Sequence, residues 1–335
     1  MKVNLPASRR AKSLSPPNCS GQVMNAFSSG IKSGQWAYGG SCQTLEAAIA
    51  SELGIDPACV IVTASCSHAL AAAHRFLGYE QGPGNGPVVN PLTWPATYGA
   101  ESFGCEWADF DNYLLQLPQV DIAVDLWGMP AFRSGPVQII DAAHRFLGEE
   151  HGPALQEGEA KFVTYSFALQ KEISCFMGGA LCFAEPAWRD DLLAILGGGI
   201  KDRVSVCRGV PKGLMPAPVA RWVRMKMHEH SGRKAARLLV LNKYRELMGD
   251  RLLTDTTASG HLAVVLADDH EQRWEWRRNL HKHDVQFGWH YPLNEAQKKA
   301  APRAADLSSR VVTLPLHCHQ YVNDAVEVLR RMVGA

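Results

Sequence analysis

At 335 residues and 46% hydrophobic composition, the chain can bury a large core, enough for one large domain and a smaller companion. A formal net charge of +1 without any dense Lys/Arg stripe gives no electrostatic case for nucleic acid, and no apolar run approaches the ~20 residues that span a bilayer. Nine scattered cysteines, none in a Cys-x-x-Cys pair, read as reduced thiols of a cytoplasmic protein, and the isolated "HCH" at 317–319 lacks a third ligand for a metal.

The first 30 residues are rich in Ser, Pro and Asn and read as an extended arm. "CQTLEAAIASELG" then places Leu45, Ile49 and Leu53 on one helical face, with Gly54 as the stop. The β-rich "ACVIVTA" precedes an alanine-rich helix, "SHALAAAHRFLG", and "GYEQGPGNGP" reads as a Gly/Pro-rich loop. "PVVNP" predicts a strand and "PATYGAESFG" a helix; "CEWADF", "DIAVDL" and "VQIIDAA" are further short runs bounded by turn residues. "TYSFALQKEISCFMGGALCF" holds two strands around a polar turn with Lys171. A long helical stretch covers about 216–249. After it come the strand "HLAVVLAD", a helix through "EQRWEWRRNLHKH", the strands "VQFGWH" and "RVVTLPL", and the helix "YVNDAVEVLRRMV".

Apolar runs alternating with helices predict an α/β fold, three layers around a mainly parallel sheet, with a small α+β domain at the C-terminus. The expected division is an arm at 1–30, a large domain at 31–230 and a small domain at 231–335.

In such sheets ligands gather at the carboxyl ends of the strands. Ser65, Cys66 and Ser67 open a helix there, as an ordinary cap or as an anion site of free N–H groups. Trp94 follows the next strand, as packing or as a platform for a flat ring. Asp141 ends an apolar strand with His144 three residues on, and a carboxylate there needs a cationic or donor partner. Ser166 and Lys171 follow "KFVTY". One ligand suits all of them: a phosphate for Ser67, a ring for Trp94, a ring N–H⁺ for Asp141 and an aldehyde for Lys171. That ligand is pyridoxal 5′-phosphate, whose ring acts as an electron sink while its nitrogen stays protonated.

The same stretches, taken in order, resemble the DegT/DnrJ-type sugar aminotransferases of fold type I. "ASCSHALAAAHRFLG" is similar to that family's phosphate motif, "NPLTWPAT" to its Pro-x-x-Thr-aromatic segment and "VDLWG" to its Val-Asp-x-x-Gly strand. "IDAAHRFLG" resembles its Asp-Ala-Ala-His motif, and "YSFALQKEISCFMGG" its lysine signature. The resemblance implies that Lys171 holds the cofactor aldehyde as a Schiff base and, once freed, moves protons between substrate and cofactor carbons. It implies that Asp141 pairs with the ring nitrogen, His144 bonds near the ring oxygen and Trp94 stacks on the ring. Ser67, the Cys66 backbone and Ser166 then hold the phosphate. Tyr38 in "SGQWAYGG", with His290 and Tyr291 in "WHYPL", are the implied substrate candidates. A homodimer with active sites at the subunit interface is implied as well.

Departures from the family pattern are specific. Cys66 stands for Gly, Ser67 for Thr and Ile140 for Glu. "GVPKGLMPAP" lacks the family's Asn-x-Arg segment, and Lys212 falls near that slot as a source of positive charge. The expected reaction moves an amino group from an amino acid, glutamate foremost, to a keto sugar, nucleotide-linked in most of the family. A keto-cyclitol or other small ketone as acceptor stays open, as does a sugar dehydratase or lyase. Lys171 argues against the dehydratases, which generally replace that residue, and Lys171 with Asp141 argues against a non-catalytic relative.

Overall fold

A computed structural model describes residues 37–79, 82–98, 103–111, 116–198, 200–201, 204–205, 210, 212–254, 258–285, 287–288, 291–316 and 319–333, with single positions at 21, 25, 28, 32 and 34. In chain order the first elements are helix α1 (Gly40–Leu53), strand β1 (Val60–Thr63), helix α2 (Cys66–Phe76), and strands β2 (Gly82–Val89), β3 (Phe103–Trp107), β4 (Ile122–Val124) and β5 (Val137–Asp141). Helix α3 (His151–Gln156), strands β6 (Ala160–Ser166) and β7 (Gly179–Phe183), helix α4 (Arg189–Leu196) and the short β8 (Ile200–Lys201) and β9 (Val204–Ser205) follow. The last third holds α5 (Ala217–His228), α6 (His230–Met248), β10 (Ala263–Leu266), α7 (His270–Lys282), α8 (Glu295–Ala300), α9 (Pro302–Arg310), β11 (Val311–Leu314) and α10 (His319–Val333).

Seven strands form the central sheet in the order β1-β7-β6-β5-β4-β2-β3. β7 pairs antiparallel with both β1 and β6, and the remaining pairings are parallel. Side chains alternate across the pleat and split the core in two. Val60, Val62, Val163, Ala180 and Cys182 face α1 and α5, where Leu45, Ile49, Ala220 and Val223 are buried. Ile61, Phe162, Leu181 and Phe183 face α2 and α4, where Leu70, Ala73, Leu192 and Leu196 are buried. Helices on both faces of a mainly parallel sheet are the expected α/β architecture. A third core joins β10 and β11 to α6, α7 and α10 through Tyr244, Trp276, Leu280, Val322 and Leu329. Among the described residues no helix is long and apolar enough to cross a membrane, and six cysteines are free.

Several elements differ from the sequence expectation. "GPGNGPVV" is strand β2, because its ladder to β3 is interrupted between Pro83 and Val88, and prolines are tolerated at such irregularities. The described part of "PATYGAESFG" is one 3₁₀ turn, Pro95–Tyr98. The 216–249 stretch breaks at Glu229 into α5 and α6. "VQFGWH" contributes an isolated bridge from Gly288 to Thr313, with no further ladder among its described residues.

Tyr38 belongs to a brace at the start of β1. Its hydroxyl donates to Glu46 Oε1 at 2.6 Å, and the Val62 N–H reaches the same oxygen at 3.0 Å. Arg189 donates to Glu46 Oε2 at 2.7 Å, to Tyr38 Oη at 2.9 Å and to Val60 O at 2.6 Å. The buried Glu46 therefore ties α1, β1 and α4 together.

Candidate active site

Strands β1, β5 and β6 end on the same edge of the sheet, and the elements leaving them converge. Ser65 caps α2, its Oγ accepting from the His68 N–H. The first N–H groups of a helix have no intrahelical acceptor, and at this start of α2 Ser65 is bridged in parallel to Gly178 beside β7. Ser67 is exposed and the Cys66 side chain buried. Ser166 closes β6 opposite Gly179 of β7, and its Oγ accepts from the Ala168 N–H. Gly179 is wedged against the start of α2. A Cβ there would lie 2.5 Å from Cys66 N, 2.6 Å from the Ser65 carbonyl carbon and 2.8 Å from Tyr165 O. All three are backbone atoms, so Gly179→Ala is expected to push β7 from α2. The expected cost is about 1–3 kcal/mol in stability, with weaker phosphate binding, read by thermal melting and cofactor titration.

Between β6 and β7, residues 167–178 form the loop that carries Lys171, closed by Phe167 N–H on Gly178 O at 2.9 Å. Burial pulls the Lys171 amine down to about 8, with Asp141, Cys66 and Glu172 opposing. Asp141 ends β5 and is buried. Burial raises its carboxyl above the usual range, while a Thr97 hydroxyl at 2.6 Å on Oδ2 and the Ala143 N–H at 3.1 Å on Oδ1 favour the charged form. The Cys66 thiol lies 4.0 Å from Oδ1.

Four carboxylates are buried among the described residues. Glu46, Asp125 and Glu172 each have an Arg or His nitrogen within 4 Å; Asp141 has no such partner among the described residues. A buried carboxylate held by neutral donors, with the Lys171 amine as the charge that acts on it, is chemically complementary to a protonated ring nitrogen.

His144 follows Asp141 on the exit from β5. Trp127, in a turn at φ 60°, directs its N–H to His144 Nδ1 at 3.3 Å. Nδ1 is therefore the acceptor, so the ring proton sits on Nε2 and points to the Tyr291 oxygen 3.0 Å away. His261 stacks on His144 with centroids 4.7 Å apart, and Ser259 Oγ donates to His144 O at 3.1 Å. Trp94 packs edge-on to Tyr291, centroids 6.2 Å apart, yet remains 62% exposed. The indole is therefore held at one edge by Tyr291 and is not part of the buried core.

The structure thus brings Cys66, Trp94, Asp141, His144, Ser166, Lys171 and Tyr291 to one edge, with Ser67 at its rim. Lys212 is exposed at φ 53°, beside the Gly213 O that accepts from Ala64 N–H at the exit of β1. Tyr38 sits at the opposite end of β1 in the Glu46 brace, and His290 lies outside the described residues. The side chains of 317–319 also lie outside them. Thr97, Trp127, Ser259 and His261 had no sequence signal of their own.

Asp125, Glu150 and His151 cluster beneath the site. His151 Nδ1 accepts from Tyr165 Oη at 2.8 Å and from Gly148 N–H at 3.1 Å, so its Nε2–H donates to Asp125 at 2.7 Å. Arg145 takes Glu150. With those bonds made the cluster is a brace between the ends of β4 and β6.

A family model for the DegT/DnrJ/EryC1/StrS aminotransferase family matches residues 127–333. A search of curated proteins found no match. Among solved structures, DesV of S. venezuelae in complex with a ketimine intermediate is 18% identical, with 95% of each chain covered and a TM-score of 0.76. The PLP form of the putative sugar aminotransferase Spr1654 of Streptococcus pneumoniae is 17% identical, covering 95% of this chain and 97% of that one at a TM-score of 0.78. NtdA of Bacillus subtilis with bound PMP is 15% identical, covering 96% and 83%, at 0.79. The fold is that of these enzymes. With the family match spanning more than half of its length, the chain belongs to the DegT/DnrJ/EryC1/StrS aminotransferase family and is a pyridoxal-phosphate-dependent aminotransferase.

Proposed function

We propose that the enzyme takes an amino group from an amino acid, glutamate foremost, and delivers it to the ketone carbon of a sugar, nucleotide-linked as in most of the family. The observation that carries this reading is the pairing of a buried Asp141, with no Arg or His partner among the described residues, and a buried Lys171 amine depressed to about 8. Pyridoxal phosphate, when bound, supplies the electron sink that makes the hydrogen next to the nitrogen acidic. Lys171 then holds and returns that proton, a role that a lysine titrating near neutrality suits. Asp141 keeps the ring nitrogen protonated, His144 orients the ring oxygen, and Trp94 covers one face. Cys66 N–H, Ser67 and Ser166 take the phosphate, with Lys212 adding charge, and Tyr291 and His290 meet the substrate.

Lys171 favours transamination over elimination, and the likeness to the putative sugar aminotransferase Spr1654 supports a sugar acceptor. The reading extends to a cytoplasmic homodimer, with 231–335 as the small domain. Leu169 and Phe176, in the loop that carries Lys171, are large apolar side chains exposed to solvent and would supply a surface for a second subunit. Mixing the cofactor-loaded enzyme with glutamate is expected to convert its visible absorbance to that of the amine form of the cofactor. No half-reaction with any amino donor would sink the proposal. A panel of keto sugars and keto-cyclitols then separates the acceptors.

A further inference from the structure

The turn Thr93–Thr97 makes two contacts with the site at once. It presents Trp94, whose carbonyl accepts from the Thr97 N–H at 2.9 Å, and it reaches Asp141 from the other side. Its base is fixed by Asn90, which accepts from the Leu92 N–H at 2.9 Å and donates to Ala108 O at 3.0 Å.

The proton order within the turn follows from chemistry. A carboxylate only accepts, so the 2.6 Å contact is Thr97 Oγ1–H donating to Asp141 Oδ2. A hydroxyl has one proton, and that of Thr97 is spent. The 2.9 Å contact between Thr93 and Thr97 hydroxyls must therefore be Thr93 donating. Thr93, Thr97 and Asp141 are all buried, so water does not offer a substitute donor. The other groups facing Asp141 do not replace this bond. Ala143 N–H and the weakly donating Cys66 thiol sit on Oδ1, Asp125 opposes ionisation, and the Lys171 charge is spent once the lysine is joined to cofactor. Tyr291 has its own proton held more tightly, by burial first and by the Asp141 charge second.

We propose that Thr97, backed by Thr93, is a positioning residue that keeps Asp141 ionised and aimed at the ring nitrogen of the cofactor. It rests on the assignment of Asp141 to that nitrogen. A consequence is that one five-residue turn sets both the face on which the ring lies and the protonation of its nitrogen.

The test reconstitutes full-length apoenzyme with pyridoxal phosphate and reads cofactor affinity and the pH midpoint of the bound cofactor's visible absorbance. Thr97→Val, nearly isosteric, is expected to weaken binding about ten- to a hundred-fold, the range for a hydrogen bond to a charged group. The midpoint is expected to rise by roughly one pH unit or more, because a ring nitrogen no longer held protonated stops repelling the next proton. Thr97→Ser, which keeps the hydroxyl and loses the methyl, is expected to restore both readouts. In an Asp141→Ala background Thr97→Val is expected to change neither further, since the donor then has no side-chain acceptor at position 141. Wild-type affinity and midpoint in the valine variant would overturn the proposal. So would a serine variant as impaired as valine, which also decides the matter if the valine variant does not fold. An equal loss in the Ala background would make the role one of packing and overturn it too. If the wild-type chain itself takes up no cofactor, the assignment of the whole site falls, a result distinct from the others.

Discussion

Replacing Lys171 with alanine is expected to abolish the covalently held, coloured form of the cofactor and to slow amino transfer by at least about 10²–10⁴-fold, the contribution of a positioned acid-base group. The variant loses both the amine that captures the aldehyde and the group that returns the proton. Retained Schiff-base absorbance would refute the assignment. The environment of Lys171 adds a pH dependence with a definite sign. Capture needs the unprotonated amine, and burial lowers its pKa from 10.5 to about 8. At pH 7 roughly one amine in ten is then ready, about 300 times the fraction for an unperturbed lysine. The rate of colour formation from apoenzyme should rise with pH up to about 8 and level off above it. A rate still climbing through pH 10 would place the lysine in water.

Glu46→Ala carries the largest expected effect on stability, about 3–5 kcal/mol, seen as a lower denaturant midpoint. Removal of the carboxylate strands the Arg189 guanidinium between α1 and α4 and leaves the Val62 N–H, inside a buried strand, without its acceptor. It also strips the Tyr38 hydroxyl of its acceptor. Glu46→Gln keeps one acceptor oxygen and should cost less than Glu46→Ala. An alanine variant as stable as wild type would show that the brace contributes nothing net.

Much of this arrangement was legible because it is written in short stretches. "VQIIDAAH" carries an apolar strand, its terminal carboxylate and the histidine beyond, so the placement of Asp141 and His144 follows from a few adjacent residues. The same holds for Ser65 to Ser67 after "VIVTA" and for Lys171 after "KFVTYS". What escaped is carried by contacts between distant residues. Thr97 reads as one polar residue in a loop, and it matters because the fold sets it against Asp141, 44 positions later. Tyr38 lies near a family-like motif, but Glu46 and Arg189 draw it to the other end of β1. Strand β2 was hidden for the opposite reason. Its Gly and Pro residues carry turn propensity, and the ladder to β3 overrides it.

The antiparallel strand β7 has a consequence for how the molecule assembles. Within the sheet β1 touches β7 alone, and the paired residues Thr63 and Gly179 are more than a hundred positions apart. Such pairings must close a long loop before any contact rewards them, and they come late in folding. During synthesis β1 and α2 leave the ribosome early and wait, unpaired, until β6 and β7 have emerged. The helix start that we propose takes the phosphate is therefore finished by the same event that completes the sheet. A chain halted before residue 179 has most of its strands but no anion cradle, so coenzyme uptake reports on the closing step of folding.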